Sequence, residues 1–143
     1  HNGNEKIAIA AAQAALQLKC PHRVILGTDG PAGSGVQPLG MLRLIALLSA
    51  MGNIPAELVF CFATGNTARL RKLNCGLIEV GRDADFVFMD RAQHSAGRTL
   101  LESVQLGDLP GVGMVMIDGI VRCGRSRNTP PATEIPVVVA TAH

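Results

Sequence analysis

Residues 23–35 read Arg23-Val-Ile-Leu-Gly-Thr-Asp29-Gly-Pro-Ala-Gly-Ser-Gly35. Val24–Leu26 form a continuous apolar run, which is typical of a strand buried on both faces in a parallel sheet. Asp29 follows at the carboxyl end of this predicted strand, where α/β barrels place their catalytic residues. A glycine-rich loop and a helical pattern come next, so the segment predicts one slice of an α/β architecture.

The segments on either side of this strand have helical patterns. The first is alanine-rich, with apolar residues at helical spacing, and it ends before Cys20-Pro21 because a residue that precedes proline avoids the helical region. The short last segment has Asn66 or Thr67 as its predicted cap. The predicted helices are Glu5–Leu18, Pro38–Gly52 with Pro38 in its first turn, Pro55–Thr64 and a short helix from Gly65.

The second half of the chain changes to strand-like patterns. The clearest is a hairpin at Asp118-Gly119, because Asp-Gly suits a type I′ turn between two apolar runs. A helix is predicted over Thr99–Leu106, and the chain after Gly124 is predicted to be an exposed, poorly ordered tail. The predicted strands are Leu77–Val80, Asp85–Met89, Met114–Ile117 and Ile120–Cys123.

Length and composition limit the function. The chain has 143 residues, whereas a complete (β/α)8 barrel takes ~250. It starts with His1 and has no signal-like run, so we expect a piece of a longer chain without a targeting peptide. Hydrophobic residues make up 48% and charged residues 17%, which indicates a soluble globular protein. No apolar run reaches the ~20 residues that cross a bilayer, so we expect no membrane contact.

Charge and cysteine patterns exclude further classes. The formal net charge is only +2, and no aromatic side chain lies among the basic clusters to stack on bases, so we expect no nucleic-acid partner. The four cysteines have no C-x-x-C spacing, which argues against a zinc knuckle or a disulfide framework. Reduced thiols in a cytoplasmic protein are the expectation.

The residues alone leave the chemistry of Asp29 open. Asp-Gly is common in turns, so a structural turn and a catalytic carboxylate both remain possible. The loop Gly30–Gly35 could hold a phosphate at the start of a helix, but it lacks the Lys-Ser/Thr of a P-loop. The few histidines show neither H-x-H nor H-E-x-x-H spacing. A complete metal or nucleophile site cannot be assembled from these residues.

Two longer runs of sequence indicate a protein family, which the spacing of single residues does not. The runs Ala63-Thr-Gly-Asn66 and Leu77-Ile-Glu-Val-Gly-Arg-Asp-Ala-Asp85 resemble the C-terminal signature of the amidohydrolase superfamily, in which the last barrel helices lead into a small β-sandwich. Val24–Asp29 then resembles barrel strand eight. The resemblance covers about residues 21 to 125. Within the superfamily the chain is similar to the enamidase-like (imidazolonepropionase-like) cyclic amidohydrolases, on Gly27–Gly35 and Ser126-Arg-Asn-Thr-Pro-Pro131 among other segments.

The resemblance implies a fold and a division into domains. The fold is α/β: the C-terminal portion of a (β/α)8 TIM barrel, about strand eight and its helices, followed by strands of a small β-sandwich. Residues 1–73 would belong to the barrel, residues 74–124 to the sandwich, and residues 125–143 to a flexible tail.

The resemblance also implies an activity, the metal-dependent hydrolysis of a carbon–nitrogen bond in a cyclic amide. Asp29 would be the catalytic residue and a metal ligand, and the remaining ligands would come from earlier sequence. The cofactor would be divalent, with zinc first, in a mononuclear or binuclear site that could also contain iron. The full-length protein would be a homo-oligomer, and the isolated chain would bind no catalytic metal and hydrolyse nothing. The residues that would contact the substrate are Gly30, Pro31, Gly33, Ser34 and Gly35.

Two other interpretations remain. The chain could be a non-catalytic binding module that has the sandwich but no active site. It could also be a phosphate-binding α/β domain that uses the Gly30–Gly35 loop, in which case a β-branched residue at Gly33 or Gly35 would abolish phosphate binding.

Overall fold

A computed structural model describes residues 4–30 and 37–139 of the chain. Its first half is helical and its second half contains a small sheet, so the predicted mixture of helices and strands is confirmed. A 3-10 turn, Pro21–Arg23, follows the first helix. The helices are α1 Glu5–Gln17, α2 Gly40–Gly52, α3 Ala56–Ala63, α4 Gly65–Arg71 and α5 Leu100–Gln105.

Local chemistry explains where α1 and α2 begin and end. The side chain of Asn4 accepts hydrogen bonds from the backbone N–H groups of Lys6 and Ile7, which caps the start of α1. The helix α2 begins at Gly40, so Pro38 lies before the helix and not in its first turn as predicted. It ends at Gly52 because Asn53 adopts a left-handed conformation with φ of 49°.

The predicted cap of α4 is wrong. Asn66 and Thr67 lie inside the helix, which begins at Gly65 directly after Thr64. Their side chains bind backbone carbonyls of other segments instead of the helix start, since Asn66 donates to Pro21 and Val24 and Thr67 donates to Phe62.

The main core lies between four of the helices. Phe62 and Leu48 are its largest fully buried side chains. The helix α5 contributes Val104 to this core although its sequence lies between two strands of the sheet. The buried members of the cluster are Ala12, Leu44, Ile45, Leu48, Ile54, Ala56, Val59, Phe62 and Val104.

A pair of side chains joins α5 to α2. The Ser49 hydroxyl donates to the carbonyl of Ile54 at 3.0 Å and lies 3.2 Å from the Oε1 atom of Gln105. The Nε2 atom of Gln105 donates to the carbonyl of Ser49 at 3.0 Å. Ser49 is fully buried, so these bonds satisfy polar groups that would otherwise be costly inside the helical layer.

The sheet is antiparallel and has the order β1-β2-β3. Its strands are β1 Phe86–Asp90, β2 Gly111–Ile117 and β3 Ile120–Cys123. The hairpin between β2 and β3 is confirmed: Asp118 and Gly119 have φ values of 52° and 73°, as a type I′ turn requires.

The prediction of a strand at Leu77–Val80 is wrong. The segment forms turns, and Ile78 and Val80 are exposed. An ion pair between Arg82 and Glu79 at 3.0 Å closes the turn. The apolar pattern is not sufficient for a strand, because a strand also needs a neighbouring strand for its hydrogen bonds. None of the sheet pairings involves this segment.

The prediction of an exposed, poorly ordered tail after Gly124 is wrong for the residues that follow it directly. The backbone N–H of Ser126 donates to the carbonyl of Val112, and the hydroxyl of Thr129 accepts from the N–H of Val112. Ala132 forms a bridge with Ala92 and is buried. These bonds lay residues 126–129 along the start of β2 and residues 131–133 along Arg91–Gln93, which follow β1.

Among the described residues, no helix is both long enough and apolar enough to cross a membrane.

Candidate functional site

Asp29 ends an extended segment that runs along the helical layer. Val24, at the start of this segment, has φ of −85° and ψ of 130°, which is extended backbone. The predicted parallel strand is nevertheless not paired among residues 4–30 and 37–139, because no second strand of the described chain lies beside it. A ladder of hydrogen bonds needs such a neighbour.

The segment alternates between two faces. Val24 and Leu26 pack against the helical core, and a methyl group of Thr28 lies beside the first residue of α2, Gly40. Ile25 and Gly27 belong to the opposite face and are more exposed. This period of two is that of a β-strand with one side on the helices and the other side open.

Asp29 itself is exposed and adopts a left-handed conformation with φ of 47°. Aspartate tolerates this region better than most residues, since its short side chain can bond locally to the backbone. The left-handed residue interrupts the extended run directly after Thr28, so the carboxylate stands where the segment changes direction.

The substrate-binding residues predicted from the sequence are only partly described. Gly30 follows Asp29 and is exposed. Pro31, Gly33, Ser34 and Gly35 lie outside the described residues, so both the substrate-loop prediction and the phosphate-binding interpretation stay predictions.

The donor chemistry of Asp29 suits a divalent cation, which takes carboxylate oxygens readily. Within residues 4–30 and 37–139, no group of three His, Cys, Asp or Glu side chains is close enough to hold a metal ion. The carboxylate of Asp29 thus has the donor chemistry of one metal ligand.

A shallow groove of about 290 Å³ runs beside the extended segment. Alanines of α1, leucines of α2 and the middle of the segment line it, and it contains no ionisable side chain. The groove is thus apolar and does not extend the chemistry of Asp29. Its lining residues are Ala8, Ala11, Ala12, Ile25, Leu26, Gly27, Leu44 and Leu48.

The residues that hold the extended segment in place were not predicted from the sequence. The side-chain nitrogen of Asn66 donates to the carbonyls of Pro21 at 2.9 Å and Val24 at 2.8 Å. The backbone N–H of Leu26 donates to the carbonyl of Phe62 at 3.2 Å. One signal was available, because asparagine is a poor residue for a helix interior and such a position calls for a partner.

Comparison with known proteins gives one consistent family. Residues 3–121 match the sequence profile of the Amidohydrolase family. The chain is 41% identical over 130 residues to enamidase of Eubacterium barkeri, an alignment that covers 91% of this chain and 34% of the relative. A crystal structure of enamidase, described as a member of the amidohydrolase superfamily, superposes with a TM-score of 0.89 and 40% identity over 93% of this chain and 34% of that one.

Two further relatives are deaminases. The chain is 32% identical over 98 residues to a 5'-deoxyadenosine deaminase of Methanosphaera stadtmanae. It is 36% identical over 98 residues to a 5-methylthioadenosine/S-adenosylhomocysteine deaminase of Thermococcus onnurineus. Each alignment covers 63% of this chain and 23% of the relative. The chain thus spans about a third of the length of enamidase and less of the deaminases.

Proposed function

Because the chain belongs to the amidohydrolase family, we propose that it forms the C-terminal third of a metal-dependent hydrolase that cleaves a carbon–nitrogen bond in a cyclic amide. The observation that carries this proposal is the position of Asp29 at the end of an extended segment. One face of this segment packs on the helices, and the opposite face is open. The agreement with enamidase over nearly the whole chain supports it. The deaminases align over a shorter part of the chain, which favours a cyclic amide over an aminopurine as the substrate.

In this proposal, residues 24–29 are the eighth strand of a (β/α)8 barrel and their open face is directed into the barrel. Residues 1–73 belong to the barrel and residues 74–124 contain strands of a β-sandwich. The helix α5 is the exception, since it returns from the second part to the helical layer.

The proposed role of Asp29 is to ligate the metal or to accept a proton from the attacking water, and then to deliver that proton to the leaving nitrogen. A divalent metal, zinc first, in a mononuclear or binuclear site that could contain iron, would lower the pKa of a bound water toward ~7. Gly30, Pro31, Gly33, Ser34 and Gly35 would line the pocket, because glycines let a substrate approach the backbone closely.

We further propose that the full-length protein is a cytoplasmic homo-oligomer with a small-molecule substrate and with neither nucleic-acid nor membrane partners. The spacing of Cys20, Cys61, Cys75 and Cys123 supports this compartment, since it contains no C-x-x-C pair and indicates no disulfide framework.

Substitution of Asp29 by asparagine in the full-length protein tests this role. D29N removes the negative charge and the proton-accepting oxygen, and asparagine tolerates the same left-handed backbone. We expect hydrolysis of a cyclic amide to fall by about 10²- to 10⁴-fold, the usual contribution of a positioned acid–base group.

The chain offers a matched control for this substitution. Asp118 is also exposed, also has a left-handed backbone and is also followed by glycine. D118N should leave the turnover rate unchanged. Full activity in D29N would refute the proposed role of Asp29.

A further inference from the structure

The side chain of Asn66 contacts the segment that leads to Asp29. Asn66 is only 8% exposed, and one nitrogen atom, Nδ2, donates to two carbonyls, those of Pro21 and Val24. Two carbonyl acceptors use both hydrogens of the amide, which also fixes its orientation. The donor therefore lies where the 3-10 turn Pro21–Arg23 ends and the extended backbone begins.

A second anchor lies at Leu26, two residues after Val24. The N–H of Leu26 donates to the carbonyl of Phe62, the last but one residue of α3. Both anchors belong to the junction of α3 and α4, and the hydroxyl of Thr67 donates to the same carbonyl of Phe62 at 2.9 Å. The junction of α3 and α4 thus holds the segment at two points.

The anchors determine which side chains turn away from the helices. In extended backbone, successive side chains alternate between faces, so a slip of one residue exchanges the two faces completely. With the observed bonds, Val24 and Leu26 pack on the core. A slip of one residue would place Ile25 and Gly27 on the core instead. The side chain of Asp29 would then lie on the opposite face of the segment.

We infer that Asn66 is a positioning residue that fixes the register of the segment 24–28 and thereby the place of the Asp29 carboxylate. This inference rests on the proposed function of Asp29. Asn66 acts through the backbone of the segment and does not touch the reacting atoms. Its loss therefore changes the rate of the chemical step and the affinity for the metal more than it changes the affinity for the substrate.

The test compares two variants of the full-length protein that each lose a buried side-chain donor. N66D keeps the shape of the side chain but replaces the donating NH₂ by an oxygen, which faces the two carbonyls and repels them. S49A removes a buried hydroxyl that donates to the carbonyl of Ile54 and has no bond to the segment 24–28. N66S, which keeps one donor on a shorter side chain, replaces N66D if that variant does not fold.

Four quantities are measured: melting temperature, bound metal, the separate values of kcat and KM for a cyclic amide, and amide hydrogen exchange at residues 24–28. We expect N66D to lower kcat at least tenfold with KM changed less than threefold, to reduce bound metal, and to speed exchange at Leu26. S49A, with a comparable loss of melting temperature, should change kcat less than twofold and leave this exchange unaltered.

Two results would overturn the inference, and they differ in what else they overturn. Equal losses of kcat and metal in N66D and S49A, with D29N inactive, would make Asn66 merely structural and leave the role of Asp29 intact. Full activity in D29N would remove the role of Asp29 and, with it, any positioning role for Asn66.

Discussion

The contact between β2 and the segment 126–134 predicts a strong effect of one added methyl group. A Cβ atom at Gly111 would lie 2.5 Å from the Cα atom of Ala132, whereas carbon atoms pack at about 3.5 Å or more. In G111A the backbone of the segment must therefore move by about 1 Å. This backbone cannot rotate away as a flexible side chain could.

The loss of stability follows from the bonds that this movement breaks. Val112 exchanges two hydrogen bonds with the segment, through the hydroxyl of Thr129 and the N–H of Ser126. At about 1 kcal/mol each, together with the ~1–3 kcal/mol that overpacking costs, G111A should lower the free energy of unfolding by about 3–5 kcal/mol. Urea denaturation measures the loss, and trypsin should cleave after Arg127 faster than in the unchanged protein.

A second glycine supplies the control for this experiment. A Cβ atom at Gly124 would meet no atom within 4 Å, so G124A should be neutral or stabilising by up to about 1 kcal/mol through the less flexible unfolded chain. Equal stability and equal resistance to trypsin in G111A and G124A would show that the segment 126–134 does not lie against β2 at Gly111.

Two further predictions concern the helical layer and the isolated chain. Q105A should lower the free energy of unfolding by about 1–2 kcal/mol in urea denaturation, because it removes the donor to the carbonyl of Ser49 and leaves buried groups unpaired; unchanged stability would show that the contact between α5 and α2 does not matter. The purified 143-residue chain should retain no stoichiometric zinc in metal analysis and show no turnover of a cyclic amide, since Asp29 offers one ligand only; zinc binding together with turnover would contradict this.

Elements whose signals are local could be predicted from the sequence. The type I′ hairpin depends on two adjacent residues, Asp118 and Gly119, and its strands differ from the prediction mainly by the earlier start of β2. The predicted helix Thr99–Leu106 is present as α5 Leu100–Gln105, and the hydroxyl of Thr99 caps it by accepting from the N–H of Glu102. Such elements contain their own start and stop signals within a few residues.

Elements that depend on a distant partner could not be predicted. Leu77–Val80 and Val24–Leu26 both have strand-like sequences, yet neither is paired in the described chain, since pairing depends on what lies beside a strand and not only on its composition. The segment 126–134 was predicted to belong to an exposed, poorly ordered tail. Its order comes from β2, more than ten residues earlier.

The candidate site divides in the same way. Asp29 could be chosen from its place after an apolar run, and the family resemblance supplied its proposed role. The bonds of Asn66 to Pro21 and Val24 join residues more than forty positions apart. An asparagine inside a helix indicates that its side chain needs a partner, but no local pattern in the sequence identifies a partner over that separation.

The return of α5 to the helical layer has a consequence for how this region can be divided. A cut near residue 73 would separate two continuous pieces of sequence. Val104 and Gln105 of α5 would then be removed together with the sheet, which would expose the core around Phe62. The sheet therefore cannot be exchanged between relatives as a single terminal cassette. A chimaera that keeps its fold therefore needs junctions on both sides of α5, so that this helix comes from the same relative as α2 and α3.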